Sequence, residues 1–228
     1  MNNRKHPIVW VIGATRSCKT PIAEHGVAPL GFELISTATY FRERYGQPDL
    51  FTKEFIFDLS EFSAGCLVED PDCHRSHLEE IITDSPRPYV IEGERNPDEF
   101  AKLYDPKLDM VIFVSRVDMD KYDTLIERGI PVMEQYVRWC VSTGVAPPSS
   151  VIKLTFGGRD IKAEYFGKGY DADSVLIEGT APERIPDALS VEDRYPWIDF
   201  VIKITVDAVK GYYRIKTPSI YDTPAPSP

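Results

Sequence analysis

The chain has 228 residues, 43% of them hydrophobic and 27% charged, and its 36 acidic against 26 basic side chains give a formal net charge of −10. That length suits one sizeable α/β domain, or a core with a small appendage. The acidic balance and a pI near 4.9 disfavour broad binding to nucleic acid or to an anionic membrane, leaving only a local basic groove open to such partners. No apolar run reaches the roughly 20 residues of a membrane span, and MNNRKHP leads into a strand without an apolar signal core, so a cytoplasmic protein is expected.

Residues 8–12, IVWVI, form an apolar, β-branched run suited to a buried strand. GATRSCKT follows over residues 13–20, and PIAEHGV then opens a helix with Pro21 in its first turn. Strand, tight loop and helix are the setting of a phosphate-binding loop. Backbone N–H groups at the helix start form an anion nest, the helix dipole adds to it, and a lysine reaches the outer phosphates. The pattern G-x-x-x-x-G-K-[ST] is met at every fixed position but one, where Cys18 stands for the second glycine. Glycine lets the backbone pass close to the phosphates, so the Cys18 side chain must either point away or narrow the cradle. The expected phosphate site comprises Gly13, Ala14, Thr15, Arg16, Ser17, Cys18, Lys19 and Thr20.

Alternation in GFELIST (31–37) predicts a second strand, and ATYFRERYG a helix after it. Residues 48–88 read as two or three helices around VEDPDC, stopped by Pro86 and Pro88. YVIEG (89–93) is a short buried strand, and NPDEFAKLY a helix with Asn96 at its N-cap and Pro97 at its first position. DMVIFVSR (109–116) is the next strand; DMDKYDTLIER and PVMEQYVRWCVSTG (131–144) are helical, the latter ended by Gly144. Short apolar strands alternating with helices call for a mainly parallel sheet covered on both faces, an α/β fold.

Past Pro148 the texture changes. VIKLTFGG, IKAEYFGKG, SVLIEG, DFVIKITVDAV and GYYRIKT read as β, with Gly or Asp turns between them. VIKLTF is a candidate last strand of the parallel sheet, and the rest an antiparallel extension or a β appendage. TPSIYDTPAPSP reads as a disordered tail. The expected organisation is a core over 1–148, a β-rich extension over 149–217 that can complete the core sheet, and a tail over 218–228. The four cysteines, Cys18, Cys66, Cys73 and Cys140, are too few and scattered for a disulfide scaffold. Cys66, Cys73, His74 and His77 offer metal ligands, but their spacing is not a usual zinc pattern; a helix carrying them near a turn is the favoured reading.

Three further stretches fall at strand ends on the side where such sheets bind ligands. ISTATYFR (35–42), with the phosphate loop before it, resembles the adenylate kinase family, whose second strand runs into I-S-T-G-D-x-[LF]-R. Ile35, Ser36, Thr37, Phe41 and Arg42 match, while Ala38 and Thr39 replace Gly and Asp. The resemblance implies that Thr37 and Arg42 contact an acceptor nucleotide, Arg42 through its phosphate. An ordinary strand-to-helix turn with a surface arginine is the alternative.

VIEGERNPDEF (90–100) is similar to the D-G-x-R segment that closes the third strand in adenylate kinases and their smaller archaeal-type relatives. This implies Glu92 in place of the acidic residue that holds Mg²⁺ through water, and Arg95 in place of a phosphate-binding arginine. Glu for Asp lengthens the reach to the metal. A carboxylate and an arginine at a strand end suit phosphoryl transfer, where positioning and charge neutralisation do most of the catalysis. An ion pair capping the sheet edge is the alternative. Glu94–Arg95 is also similar to the Glu-Arg of deoxynucleoside kinases, which leaves the acceptor class open.

In VDMDKYDTLIERG (117–129) the resemblance implies lid arginines, with Arg128 ahead of Arg116 and Lys121. Solvent-facing charge is equally ordinary on an amphipathic helix there. Asp58 and Glu61 follow the second strand and are placed near the acceptor by position alone, as a base. The resemblance spans about residues 7–145 by order of motifs, and nothing in 150–228 extends it.

These readings converge on a P-loop NTPase core acting as a nucleotide or nucleoside kinase, which moves a phosphoryl group from ATP with Mg²⁺. Lys19, Glu92, Arg95 and Arg128 are its expected catalytic residues, Thr20 and Glu92 its metal side, and Thr37, Arg42 and Asp58 its acceptor side. Alternatives are a kinase of a modified nucleoside in viral DNA, which the acidic charge does not support, and a regulatory pseudo-kinase, which Cys18 motivates.

Overall fold

A computed structural model of the chain describes residues 4–13, 17–46, 59, 62–63, 65–70, 72–83, 85–94, 97–105, 107–116, 151–157, 160–165, 174–180 and 198–216. The helices expected over 117–129 and 131–144 and the tail lie outside these residues.

Strand β1 (Ile8–Gly13) is buried along its whole length, as its unbroken apolar sequence requires. The helix after it begins as α1 (Lys19–Pro21), continues as a π-helical stretch over Ile22–Val27 and closes in a 3-10 turn at Ala28–Leu30. β2 (Glu33–Ser36) runs directly into α2 (Thr37–Tyr45). Ser36 caps α2 by accepting the Thr39 N–H at 3.4 Å, and Gly46 ends it in the left-handed conformation. There follow α3 (Cys73–Thr83), β3 (Tyr89–Glu92), α4 (Pro97–Leu103) and β4 (Met110–Arg116). The chain closes with β5 (Val151–Gly157), β6 (Asp160–Tyr165), β7 (Ser174–Thr180) and α5 (Ile198–Lys216).

The strands form one sheet in the order β2-β3-β1-β4-β5-β6-β7. β2, β3, β1, β4 and β5 are mutually parallel, and β6 and β7 are antiparallel. Alternation along β1 splits the core into two layers. Val9 and Val11 pack with Ile22, Ala23 and Val27 after α1 and with Val201, Ile204 and Val209 of α5. Ile8, Trp10 and Ile12 face the other way, onto Leu78 and Ile82 of α3 and Phe100 and Leu103 of α4. Each such buried side chain contributes about 1.5–3 kcal/mol. The sheet is thus covered by helices on both faces, as a parallel sheet requires.

Helix α5 corrects the reading of residues 199–217 as strands. Residues 198–216 form one 19-residue helix instead. Its buried positions, Val201, Ile204, Thr205, Ala208, Val209, Tyr212 and Tyr213, recur at three- and four-residue steps along one stripe. β-branched density imitates a strand locally, but burial against the helix after α1 decides in favour of a helix.

One buried acid ties the elements at the N-terminal edge of β1. Asp109 accepts Arg4 Nη2 at 2.7 Å, Ile8 N at 2.8 Å, Asp105 N at 2.9 Å and Trp10 Nε1 at 3.1 Å. Its carbonyl accepts the Tyr212 hydroxyl of α5 at 3.0 Å.

Candidate functional site

Parallel pairing brings the C-terminal ends of β1, β2, β3 and β4 to one edge. Val11 and Ser36 are both in register with Glu92, and Gly13 with Val114. Gly13, the turn from Ser17 to Thr20, Thr37 and Glu92 therefore lie at one edge, with Arg42 on the helix that follows β2, which sequence order alone could not establish.

Gly13 ends β1 against the neighbouring strand. A Cβ there would lie 2.4 Å from the Val114 carbonyl oxygen and 2.6 Å from Ser17 Oγ, so only glycine fits. Gly13→Ala is expected to cost about 1–3 kcal/mol through overpacking against backbone. Urea unfolding checks this, and a variant as stable as the wild type would mean the loop can retreat from β4.

Cys18 adopts φ 65 and ψ 30, the single non-glycine residue with positive φ among the described residues. L-residues occupy that region at a cost of about 1–2 kcal/mol, whereas glycine enters it freely. Cys18 thus holds a backbone conformation that glycine adopts far more readily. The side chain packs against the core layer that β1 shares with the helix after α1 and with α5.

Lys19, the first residue of α1, is 6% exposed, and Ser17 is buried with no hydrogen-bond partner for Oγ among the described residues. A buried hydroxyl without a partner is costly, and an anion at the helix start would satisfy it. Thr20 is exposed in the same turn. These groups fit a nucleotide's phosphates and a hard cation. Ala14, Thr15 and Arg16 lie outside the described residues.

On the neighbouring strand ends, Thr37 is buried and its Oγ1 has no hydrogen-bond partner among the described residues. It faces Gly93, whose φ is +87; a Cβ on Gly93 would sit 3.5 Å from Thr37 Cβ. Arg42 is half-buried and donates from Nη2 to Thr39 Oγ1 at 3.0 Å. Glu92 is 3% exposed and accepts the Ser36 hydroxyl through Oε1. Arg95, Asp58, Glu61, Lys121 and Arg128 lie outside the described residues, as does the Arg116 side chain.

Two contacts here had no signal in the sequence. Ser36 reaches Glu92 across 56 residues, and His74 Nδ1 lies 3.2 Å from Glu94 Oε2 with both side chains 2% exposed. Tyr40 stacks on His77 with centroids 4.6 Å apart, and its hydroxyl donates to the Cys73 carbonyl at 3.3 Å. Burial and the neighbouring His74 lower the His77 pKa, while burial raises those of Tyr40 and the Cys73 thiol. All three changes favour neutral side chains. Cys73, His74 and His77 lie along α3, and among the described residues no group of three or more His, Cys, Asp or Glu is placed to hold a metal ion. Nor is any described helix long and apolar enough to cross a membrane.

No family model and no curated protein matches the chain. Among solved structures it is similar to the shikimate kinase of Aquifex aeolicus, at a TM-score of 0.37 and 12% identity over 90% of this chain and 96% of that one. It is also similar to a Chloroflexus aurantiacus protein described as a kinase, at a TM-score of 0.40 and 12% identity over 92% and 98%.

Proposed function

We propose that the chain is a P-loop phosphotransferase that moves the γ-phosphoryl group of ATP, with Mg²⁺, to a nucleotide or nucleoside. The carrying observation is the loop after β1: Cys18 accepts the left-handed conformation that glycine holds in a phosphate loop, directly before the buried Lys19. Strain of that kind persists only where the surroundings impose it.

Bound Mg²⁺ would neutralise charge on the transferring phosphates. Lys19 pairs with the β/γ-phosphates, the Ser17 hydroxyl and loop N–H groups hold phosphate oxygens, and Thr20 and Glu92 supply oxygens on the metal side. Thr37 and Arg42 bind the acceptor, Arg95 and Arg128 stabilise charge that develops on transfer, and Asp58 takes the acceptor proton. Proximity and charge neutralisation carry such reactions, which suits a site with preset donors at one sheet edge.

Transfer of labelled phosphate from ATP to a panel of nucleosides and nucleoside monophosphates tests the proposal. ATP binding without transfer to any acceptor would favour the regulatory reading that Cys18 motivates; no ATP binding at all would overturn both. Arg42→Ala is expected to raise the KM for a phosphorylated acceptor about tenfold or more with little change for ATP, because it touches one substrate only. Steady-state kinetics with each substrate varied in turn decides it, and equal effects on the two KM values would remove Arg42 from the acceptor side.

A further inference from the structure

Two buried carboxylates at the end of β3, Glu92 and Glu94, are separated by Gly93, and each meets a side chain from a different part of the fold. Glu92 Oε1 accepts the Ser36 hydroxyl. The same oxygen, Ser36 Oγ, accepts the Thr39 N–H at 3.4 Å and so caps α2. One proton and two lone pairs let a serine do both at once. Glu94 lies against His74 Nδ1 at 3.2 Å. The His74 ring sits 5.1 Å from Tyr40 and 5.7 Å from Phe41, both on α2. Gly93, at φ +87, makes the turn between the carboxylates and donates its N–H to the Val11 carbonyl of β1 at 3.2 Å.

We infer that Ser36 and His74 are positioning residues for Glu92, an inference that rests on the metal-side role proposed for that carboxylate. Ser36 fixes one carboxylate oxygen directly and ties it to the first turn of the acceptor helix. His74 fixes the strand end two residues on, through Glu94, and packs on the same helix. The metal side of the site and the acceptor helix are thereby held as one unit. A swing of Glu92 would break its bond to the serine that caps α2, and a shift of α2 would move the imidazole packed on Tyr40 and Phe41 beside Glu94. Partners that orient a metal-side carboxylate in this way are commonly worth about 10–100-fold in metal affinity.

Calorimetric titration of the full chain with ADP, once in EDTA and once with Mg²⁺, reads the effect without an acceptor. The wild type is expected to bind ADP more tightly with Mg²⁺. Ser36→Ala and His74→Phe should each lose about tenfold of that Mg²⁺-dependent gain while binding ADP in EDTA as the wild type does. Ser36→Thr, which keeps the hydroxyl, should restore the gain. His74→Phe keeps a ring against Tyr40 and Phe41; should it not fold, the Ser36→Ala and Ser36→Thr pair decides. An undiminished gain in Ser36→Ala and His74→Phe, or a loss in Ser36→Thr as large as in Ser36→Ala, overturns this inference and leaves the phosphate-loop reading standing. A wild type that binds ADP without any Mg²⁺-dependent gain overturns the inference together with the metal role of Glu92. A wild type that binds no ADP overturns the phosphate-loop reading as well.

Discussion

Lys19→Ala is expected to bind ATP with Mg²⁺ about 2–4 kcal/mol more weakly than the wild type, roughly 30- to 900-fold in Kd. Lys19 opens α1 immediately after the left-handed Cys18 and is 6% exposed, so its ammonium group lies where water screens it little. A charge in that setting, at a helix start already favourable to anions, is worth more than a surface lysine. Truncation also removes buried methylene groups, so Lys19→Met serves as the control of similar volume. Met should match Ala in lost affinity and stay closer to the wild type in melting temperature. Calorimetric titration with ATP and Mg²⁺ gives the answer, and equal affinity in all three proteins would sink the phosphate-loop assignment.

Asp109→Ala is expected to lose about 3–5 kcal/mol of stability, the usual cost of leaving a buried charge without its partner. For a chain of this size that lowers the melting temperature by roughly 6–20 °C. The Asp109 carboxylate accepts four N–H donors from Arg4, Ile8, Trp10 and Asp105. Without it, Arg4 keeps one described acceptor, the Leu103 carbonyl at a long 3.4 Å. Three backbone and indole N–H groups lose their partner as well. Because this network lies at the sheet edge away from Lys19 and Glu92, the loss should appear in stability and spare nucleotide affinity in the folded fraction. The double variant Arg4→Met/Asp109→Leu removes both charges together and should recover part of the loss. If Asp109→Ala melts within about 2 °C of the wild type, the pair is not holding the edge. If the double variant is no better than the single one, the stranded cation is not the cause.

The parallel sheet and the strand–loop–helix around Lys19 were open to reading from local sequence because their signals are self-contained. IVWVI, YVIE and MVIFV are too short for helices and too apolar for a solvated face, so each could only be a strand buried on both sides. A glycine whose Cβ would strike a carbonyl, a lysine six residues later and a helix start belong to one local loop, readable without knowing what packs on it. Tertiary structure decided the rest. Residues 198–216 carry enough β-branched side chains to pass for strands, and become a helix because one stripe, from Val201 to Tyr213, finds a partner in the helix after α1. No spacing rule relates Ser36 to Glu92 or His74 to Glu94, since those contacts exist only once β2 pairs with β3 and α3 packs beneath them. Likewise the sequence left two places for the Cys18 side chain, away from the loop or into it. In the fold Cys18 takes φ 65 and its side chain packs against the core layer that β1 shares with α5, a choice that only tertiary packing could make.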